Sequence, residues 1–467
     1  MRLSEVLSNI ELDGAIASID VARVEIDSRE CAPGTLFFGL PGTQADGASY
    51  AQAAVANGAV CVVATHTVDG LSVPVIVVRA EDIFRECTLA ASAIVGEAQR
   101  DVSLVGITGT NAKTSVATLV SELAQAIGWN GASIGTLTNA RTTPAAPELL
   151  RTIKQMTSHF ASTTRSVLAL EVSSHALDQQ RIEGLHFQIA AFTNLSHDHL
   201  DYHRDMESYF KAKALLFRST MADEAMVWTD DPYGERLAES LEIPVERVSR
   251  GDASGICLSL NSTEFLWRGN RVHTPLIGSY NVDNLLMALA IMRMLGADEK
   301  DLANAASTLL PVPGRFQVLQ NHGISAVVDY AHTPAGLRRL LLDIHEINPQ
   351  GRLVTVFGCG GDRDHAKRST MGQVATELSD AVVITSDNPR FEDPNAIIDE
   401  VVKDLSTQSN WQRLVDRREA IKTAVGMLEE GDVLVVAGKG HEKTQTVGSE
   451  EFDFDDYTVV RELMKRI

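Results

Sequence analysis

Short apolar runs alternate with helical spacings along this chain, and most of the runs break into polar or glycine-rich turns. Residues 102–107 read as a buried strand, 108–114 as a turn of small residues, and Ser115 opens a stretch with helical apolar spacing. The run from Ser166 breaks at Glu171-Val-Ser-Ser-His175, and the run from Ile189 at Thr193-Asn-Leu-Ser-His-Asp-His-Leu-Asp201. Further on, residues 324–330, 352–357, 381–385 and 433–437 predict four strands. Three of them lead into Gly358-Cys-Gly-Gly-Asp-Arg363, Asp387-Asn-Pro-Arg390 and Gly438-Lys-Gly-His-Glu442. The first hundred residues show the same alternation in shorter form, with strands expected at 34–40, 59–64 and 73–78 and a helix at 51–57. Residues 209–217 read as helix, and Gly278-Ser-Tyr-Asn-Val-Asp-Asn284 as the cap of an apolar helix at 285–295. Pro311-Val-Pro-Gly-Arg315 reads as a rigid linker and 450–456 as a solvated acidic turn.

This is the pattern of an α/β protein in which each domain is a sheet with flanking helices. At 467 residues the chain is too long for one ordinary core, and three domains are expected, at 1–99, 100–320 and 321–467, the last of them doubly wound. Ligands of such sheets gather at the carboxyl ends of the strands, where the polar turns fall. A hydrophobic content of 44% with 22% charged residues is that of a soluble globular protein. Five scattered cysteines without a C-x-x-C pair suggest reduced thiols in a cytoplasm rather than a disulfide frame or zinc site. A net charge of −21 argues against a nucleic-acid surface, and neither a membrane span nor a signal segment is expected.

The turn at 108–114 carries the first chemistry. A strand, a tight loop and a helix start point backbone N–H groups at a phosphate. Lys113 adds a positive charge for the outer phosphates, and the Thr114 hydroxyl is a Mg²⁺ ligand of the right kind. Ala112 stands where the phosphate-loop pattern has glycine, so a positive φ at this position would be strained. Glu171, Asp198 and His199, at strand ends beside such a loop, are candidate metal ligands, although Glu171 alone could serve as a helix cap. Lys213, flanked by alanine and leucine, reads from its pattern alone as a snorkelling side chain.

The motifs Gly-Thr-Asn-x-Lys-Thr, Thr-Thr-Pro, Glu-Val-Ser-Ser-His-Ala-Leu, Asn-Leu-Ser-x-Asp-His-Leu-Asp-Tyr-His, Asp-Tyr-Ala-His-Thr-Pro, Gly-Gly-Asp-Arg-Asp, Asp-Asn-Pro-Arg and Gly-Lys-Gly-His-Glu occur in this order from Gly109 to Glu442, within a match that starts at Asp27. In this the chain resembles the Mur ligases of peptidoglycan synthesis, and among them the group that adds the third residue of the stem peptide. The resemblance implies an ATP-dependent amide ligase of three domains, which takes a UDP-linked muramoyl dipeptide, ATP, Mg²⁺ and an amino acid, and acts in the cytoplasm as a monomer. By resemblance Gly109, Thr110, Asn111, Ala112, Lys113, Thr114, Ser115, Asn281, Asn284, Arg315 and Asp329 would hold ATP. Ser28, Thr43, Gln44, Ala45, Thr142, Thr143, Ser173, Gln179 and Arg181 would hold the UDP substrate. Thr114, Glu171, Asp198 and His199 would ligate Mg²⁺ together with Lys213, now expected to be carbamylated; Lys113, Lys213, Glu171 and His199 would be catalytic. Arg363, Asp387, Asn388, Pro389, Arg390, Gly438 and Glu442 would take the amino acid, expected to be meso-diaminopimelate because a guanidinium at Arg390 suits a distal carboxylate. Arg390 could instead pair with Glu392 or Asp393. An L-lysine-adding or folylpolyglutamate-like ligase, or a binding protein with an impaired phosphate loop, are the other readings.

Overall fold

In a computed structural model the described residues are 1–42, 45–96, 102–138, 142–161, 163–406 and 410–465. The expected β-branched and apolar runs form the strands of three larger sheets. Strands β1 (Arg23–Glu25), β2 (Thr35–Phe38), β3 (Ala59–Ala64) and β4 (Val75–Val77) make a four-stranded parallel sheet in chain order. Phe37, Val62 and Ala64 pack with Ala48, Ala51 and Ala54 to form its core.

Six parallel strands follow: β5 (Ser103–Thr108), β6 (Asn130–Ile134), β7 (Ser166–Glu171), β8 (Phe187–Phe192), β9 (Ala222–Trp228) and β10 (Val245–Val248). Their order is β10-β9-β8-β5-β7-β6. From β5 the chain passes to the edge strand β6, returns through β7, and then crosses β5 to run outward through β8, β9 and β10, which makes the carboxyl ends of β5 and β8 a topological switch point. The expected boundary near residue 99 lies outside the described residues.

A small antiparallel sheet of β11 (Ala253–Leu258), β12 (Thr263–Trp267) and β13 (Asn270–Thr274) precedes the apolar helix Ser279–Met294. The segment expected to cap that helix is therefore mostly inside it, because Tyr280, Val282 and their neighbours continue its buried face. The last large sheet has β14 (Gln317–Asn321), β15 (Ile324–Asp329), β16 (Leu353–Phe357), β17 (Ala381–Ile384), β18 (Trp411–Arg413) and β19 (Val433–Ala437), in the order β14-β15-β19-β16-β17-β18. Since β14 pairs with β15, this sheet begins at Gln317, a few residues before the expected boundary.

Alternation along the strands buries both faces of that sheet. Val327, Val433 and Val435 pack with Leu337, Leu341, Met371 and Ile398 on one face. Ala326, Val328, Leu434 and Val436 pack with Ile421, Ala424, Val460 and Leu463 on the other. Residues that alternate in sequence thus feed two separate cores, as a doubly wound sheet requires. The ion pair of Arg417 with Asp456 is fully buried, with nitrogen–oxygen distances of 2.8 and 2.7 Å; the same guanidinium donates to the carbonyls of Ser386 and Ala437. The expected acidic turn is instead a hairpin strand, β21 (Glu450–Asp453), paired with β20 (Thr444–Val447) and followed by the helix Asp456–Met464. Its exposed faces explain why polarity alone suggested a turn.

By contacts the chain divides into two compact units of interleaved segments. One comprises 1–195, 207–248 and 287–297; the other comprises 196–206, 249–286 and 298–467.

Candidate active site

In the first unit the turn after β5 is held from beneath by the residues that follow β8. The Thr193 hydroxyl donates to the Asn111 carbonyl at 2.6 Å, Asn194 Oδ1 accepts from the Asn111 N–H at 2.9 Å, and Thr110 N–H donates to the Asn194 carbonyl at 2.9 Å. Gly109 has φ +151°, and a methyl group there would lie 1.9 Å from Thr193 Oγ1. Ala112 caps the helix Lys113–Ala126 at φ 71°, in the left-handed region where glycine is at ease and alanine is strained. Lys113 Nζ reaches back to the carbonyls of Gly109 and Thr110 at 2.9 and 2.8 Å. Ser115 is buried in the first turn of that helix.

Glu171, at the end of β7, is almost fully buried. Its carboxylate accepts from the Thr114 hydroxyl at 2.8 Å and from the Thr136 N–H at 2.9 Å. A side chain at Gly135 would collide with it at 1.9 Å, so that glycine leaves the room the carboxylate occupies. Lys213 is 1% exposed, which rules out the snorkelling expected from its pattern. Its amino group donates to the Gly109 carbonyl at 2.7 Å and stands 4.6 Å from the centre of the Tyr209 ring. Lys113, Thr114, Glu171 and Lys213 are thus gathered about one loop.

The same unit holds a cavity of about 550 Å³, lined among others by Ile26, Leu40, Pro41, Phe84, Gln179 and Arg181. Arg181 donates to Gln179 Oε1 at 2.6 and 3.0 Å and to the Thr143 carbonyl at 3.3 Å. The buried Thr143 hydroxyl in turn donates to the Glu171 carbonyl and accepts from the Ser173 N–H. This chain of bonds connects the cavity wall to the phosphate-loop carboxylate. Thr142 faces Thr136 at 3.4 Å between hydroxyls. Ser28 lies in a short turn, its carbonyl held by Asn57 Nδ2 at 2.8 Å, and the Ala45 carbonyl would lie 2.5 Å from a methyl group at Gly42. Thr43 and Gln44 lie outside the described residues.

In the second unit Asp198 accepts from the N–H of His199, whose φ is +53°. Burial disfavours the Asp198 charge, but His199, His332 and Lys367 outweigh it and hold the carboxyl below its usual range. Asn281 and Asn284 are buried in the first turns of the helix Ser279–Met294 and bonded to each other at 3.2 Å. The Arg315 guanidinium stacks 4.6 Å from the centre of the Tyr330 ring, and that ring lies 5.1 Å from the His441 ring. Asp329 is spent on the protein: it accepts from the N–H groups of Phe316 and Ala331 and from the Tyr280 hydroxyl, which places it as a brace for the segment bearing Arg315. Burial raises the Asp329 carboxyl above its usual range despite Arg315 and these donors.

The carboxyl ends of β16, β17 and β19 converge on a second constellation in that unit. Asn388 Nδ2 donates to Glu442 Oε2 at 2.7 Å, and the Asp387 carboxylate accepts from Asn388 N–H at 2.7 Å. Gly438 has φ +115°, and a methyl group there would meet Asp387 Oδ2 at 2.6 Å. Arg390, at φ 51°, donates from Nη1 to the Gly361 carbonyl at 2.7 Å, with Arg363 on the same glycine loop. The Pro389 carbonyl presses on Gly361, where a side chain would not fit. Among the described residues Arg390 has no ion pair. Glu392 goes to the fully buried Arg368, with two bonds of 2.8 Å, so the alternative pairing of Arg390 with Glu392 is not adopted.

Sequence reasoning passed over Thr193, Asn194, Gly135 and Tyr330. Each acts by shaping a neighbour rather than by its own chemistry. Only the place of Thr193 and Asn194, directly after an apolar strand, could have drawn attention to them.

Three family models match: "Mur ligase family, catalytic domain" over residues 20–115, "Mur ligase middle domain" over 107–292, and "Mur ligase, glutamate ligase domain" over 314–440. A protein of Gloeobacter violaceus named UDP-N-acetylmuramoyl-L-alanyl-D-glutamate–2,6-diaminopimelate ligase is 40% identical across 100% of this chain and 98% of its own length. One of the same name from Agrobacterium fabrum is 38% identical over 97% and 95%. A solved structure titled with that ligase name superposes with a TM-score of 0.70 at 31% identity, covering 100% of this chain and 99% of its own. The MurF ligase of Thermotoga maritima, solved with ADP, shares the fold at a TM-score of 0.65 and 18% identity, covering 96% and 97%. With a phosphate loop, a buried carboxylate beside it and three consecutive family domains, the chain belongs to the Mur ligase family.

Proposed function

We propose that this chain is an ATP-dependent ligase that joins meso-diaminopimelate to UDP-N-acetylmuramoyl-L-alanyl-D-glutamate in peptidoglycan precursor synthesis. The name shared by its full-length relatives supports the reaction. The observation that carries the choice of amino acid is Arg390, a guanidinium without a carboxylate partner among the described residues, beside Asp387, Asn388 and Glu442.

In this reading residues 1–99 hold the uridine diphosphate end and the following domain holds ATP. The sheet beginning at Gln317 holds the amino acid. The D-glutamyl carboxylate attacks the γ-phosphorus of ATP, the bond to the bridging oxygen breaks, and ADP leaves with an acyl phosphate formed. The amine of the incoming amino acid then attacks the acyl carbon, phosphate departs, and the nitrogen gives up a proton to leave the amide. Lys113 and Arg315 offset the charge on the transferring phosphoryl, while the start of the helix Lys113–Ala126 with Ser115, the turn 109–111 that Asn194 holds in place, and the side chains of Asn281 and Asn284 position the nucleotide. Gln179, Arg181, Thr142, Thr143 and Ser173 orient the peptide end.

The donors Thr114 and Glu171, bonded to each other in a buried place, are hard oxygens that suit Mg²⁺. Among the described residues no three His, Cys, Asp or Glu side chains gather into a metal cage. Such an ion would neutralise phosphate charge. His199, with Asp198 beside it, and a carbamate on Lys213 complete the proposed ligand set. No helix among the described residues is long and apolar enough to cross a membrane.

The test is amino-acid-dependent phosphate release from ATP with the UDP-dipeptide substrate. A half-buried arginine facing the shorter lysine would be left without a carboxylate partner, so kcat/KM should favour meso-diaminopimelate by more than about a hundredfold. Equal use of L-lysine would refute the assignment.

A further inference from the structure

Lys439 stands in the turn Gly438-Lys-Gly440 and has no exposed surface. A turn lysine ordinarily keeps its amino group in water. Here Nζ points inward and donates to Asn388 Oδ1 at 3.0 Å, to Glu442 Oε2 at 3.3 Å and to the Thr444 carbonyl at 2.6 Å. Three acceptors take its three N–H bonds. Two of them belong to side chains of the amino-acid constellation, and the third is the first residue of β20.

The rest of β20 is stitched to the same segment. Gln445 Nε2 donates to the Asp387 carbonyl at 2.6 Å, and Thr446 N–H donates to Asn388 Oδ1 at 3.0 Å. Arg390 N–H donates to the Thr446 carbonyl at 3.0 Å, and Gly448 N–H donates to the Arg390 carbonyl at 2.6 Å. Both backbone groups of Arg390 are therefore held by the hairpin, at a residue whose left-handed backbone is costly without support. A lysine serving only to fill the core would be replaced at less cost by an apolar side chain.

We propose that Lys439 is a positioning residue for the amino-acid step: it holds β20 as a splint along residues 387–390, and so sets the pose of Asn388, Glu442 and the Arg390 guanidinium toward the incoming amino acid. The proposal rests on the ligase reading above and adds to it a determinant of amino-acid selection.

The test uses the full chain and steady-state phosphate release. Lys439→Met keeps the stem length and removes all three donors. It should raise KM for meso-diaminopimelate about 30-fold or more while KM for ATP and for the UDP-dipeptide stays within about twofold. Gln445→Leu, at a half-buried hairpin position, should raise the same KM about three- to tenfold with the same selectivity. Equal rises in all three KM values, or a fall in kcat alone, would mark Lys439 as merely structural and overturn the proposal. If Lys439→Met does not fold, Gln445→Leu decides, and an unchanged amino-acid KM overturns it. If the unmodified chain releases no phosphate on addition of amino acid, the ligase reading itself fails and takes this inference with it.

Discussion

Ala112 carries a left-handed backbone on a residue with a Cβ, at the mouth of the phosphate loop. That conformation costs an L-residue ~1 kcal/mol or more, part of which glycine returns through its freer unfolded chain. Ala112→Gly should therefore raise folding stability by about 0.5–1 kcal/mol in urea unfolding, and lower KM for ATP by a few-fold because no methyl group stands beside the phosphate N–H donors. A raised KM would show that the methyl group shapes the loop. Lys213 poses the opposite case, a buried amino group on a loop carbonyl. Lys213→Ala should lose most of the activity and recover part of it with a short carboxylic acid supplied in place of the proposed carbamate; full activity in the variant would leave Lys213 a packing residue. The sequence pattern misjudged this lysine because alanine and leucine neighbours describe a helix face without saying whether that face meets solvent or a loop. Ala112 was legible as a position, yet its φ is set by Thr193 and Asn194 bracing the loop from another strand, which no local spacing reveals.

Among elements, the glycine loop after β16 depends on the helix Ala366–Leu378 behind it. Arg368 of that helix holds Glu392 and the Gly360 carbonyl. The hydrogen bond from Arg368 brings the Glu392 carboxyl down from 4.5 to about 2. A carboxyl with a lowered folded-state pKa adds stability that is complete above its unfolded value and drains away below it. The contribution is thus present above about pH 4.5 and lost as pH falls toward 2. Urea unfolding at pH 7, pH 3 and pH 2 should show Glu392→Gln less stable than the parent at pH 7, the gap reduced to roughly half or less at pH 3 and nearly closed at pH 2. A gap independent of pH would mean that the pair matters for shape and not for charge. Elements with clear periods, such as β5, β7 and the four central strands of the last sheet, could be read directly from the chain. The β20–β21 hairpin could not, since its exposed acidic strand has the composition of a turn and owes its form to Asn388, Lys439 and Arg390.

For the molecule as a whole, a net charge of −21 leaves anionic reactants few places to settle except where arginine and lysine have been gathered. Those places are divided between the two units: Lys113 and Arg181 in the first, Arg315, Arg363 and Arg390 in the second. Loss of one of these side chains should therefore show chiefly in the reactant assigned to it. Arg390→Ala is expected to raise KM for meso-diaminopimelate at least about 100-fold, with KM for the UDP-dipeptide nearly unchanged. Parallel loss of both would contradict that division.

The buried pairing of Arg417 with Asp456 has a consequence for synthesis. The arginine leaves the ribosome 39 residues ahead of its carboxylate, a wait of ~2–8 s at ordinary elongation rates. During that interval, closing the carbonyls of Ser386 and Ala437 around the guanidinium would bury an unpaired charge, at a cost of several kcal/mol. The carboxyl ends of β17 and β19 should therefore close around Arg417 only once Asp456 has been made, and chains truncated just before Asp456 should be cleaved at these turns by proteases that leave the full chain intact.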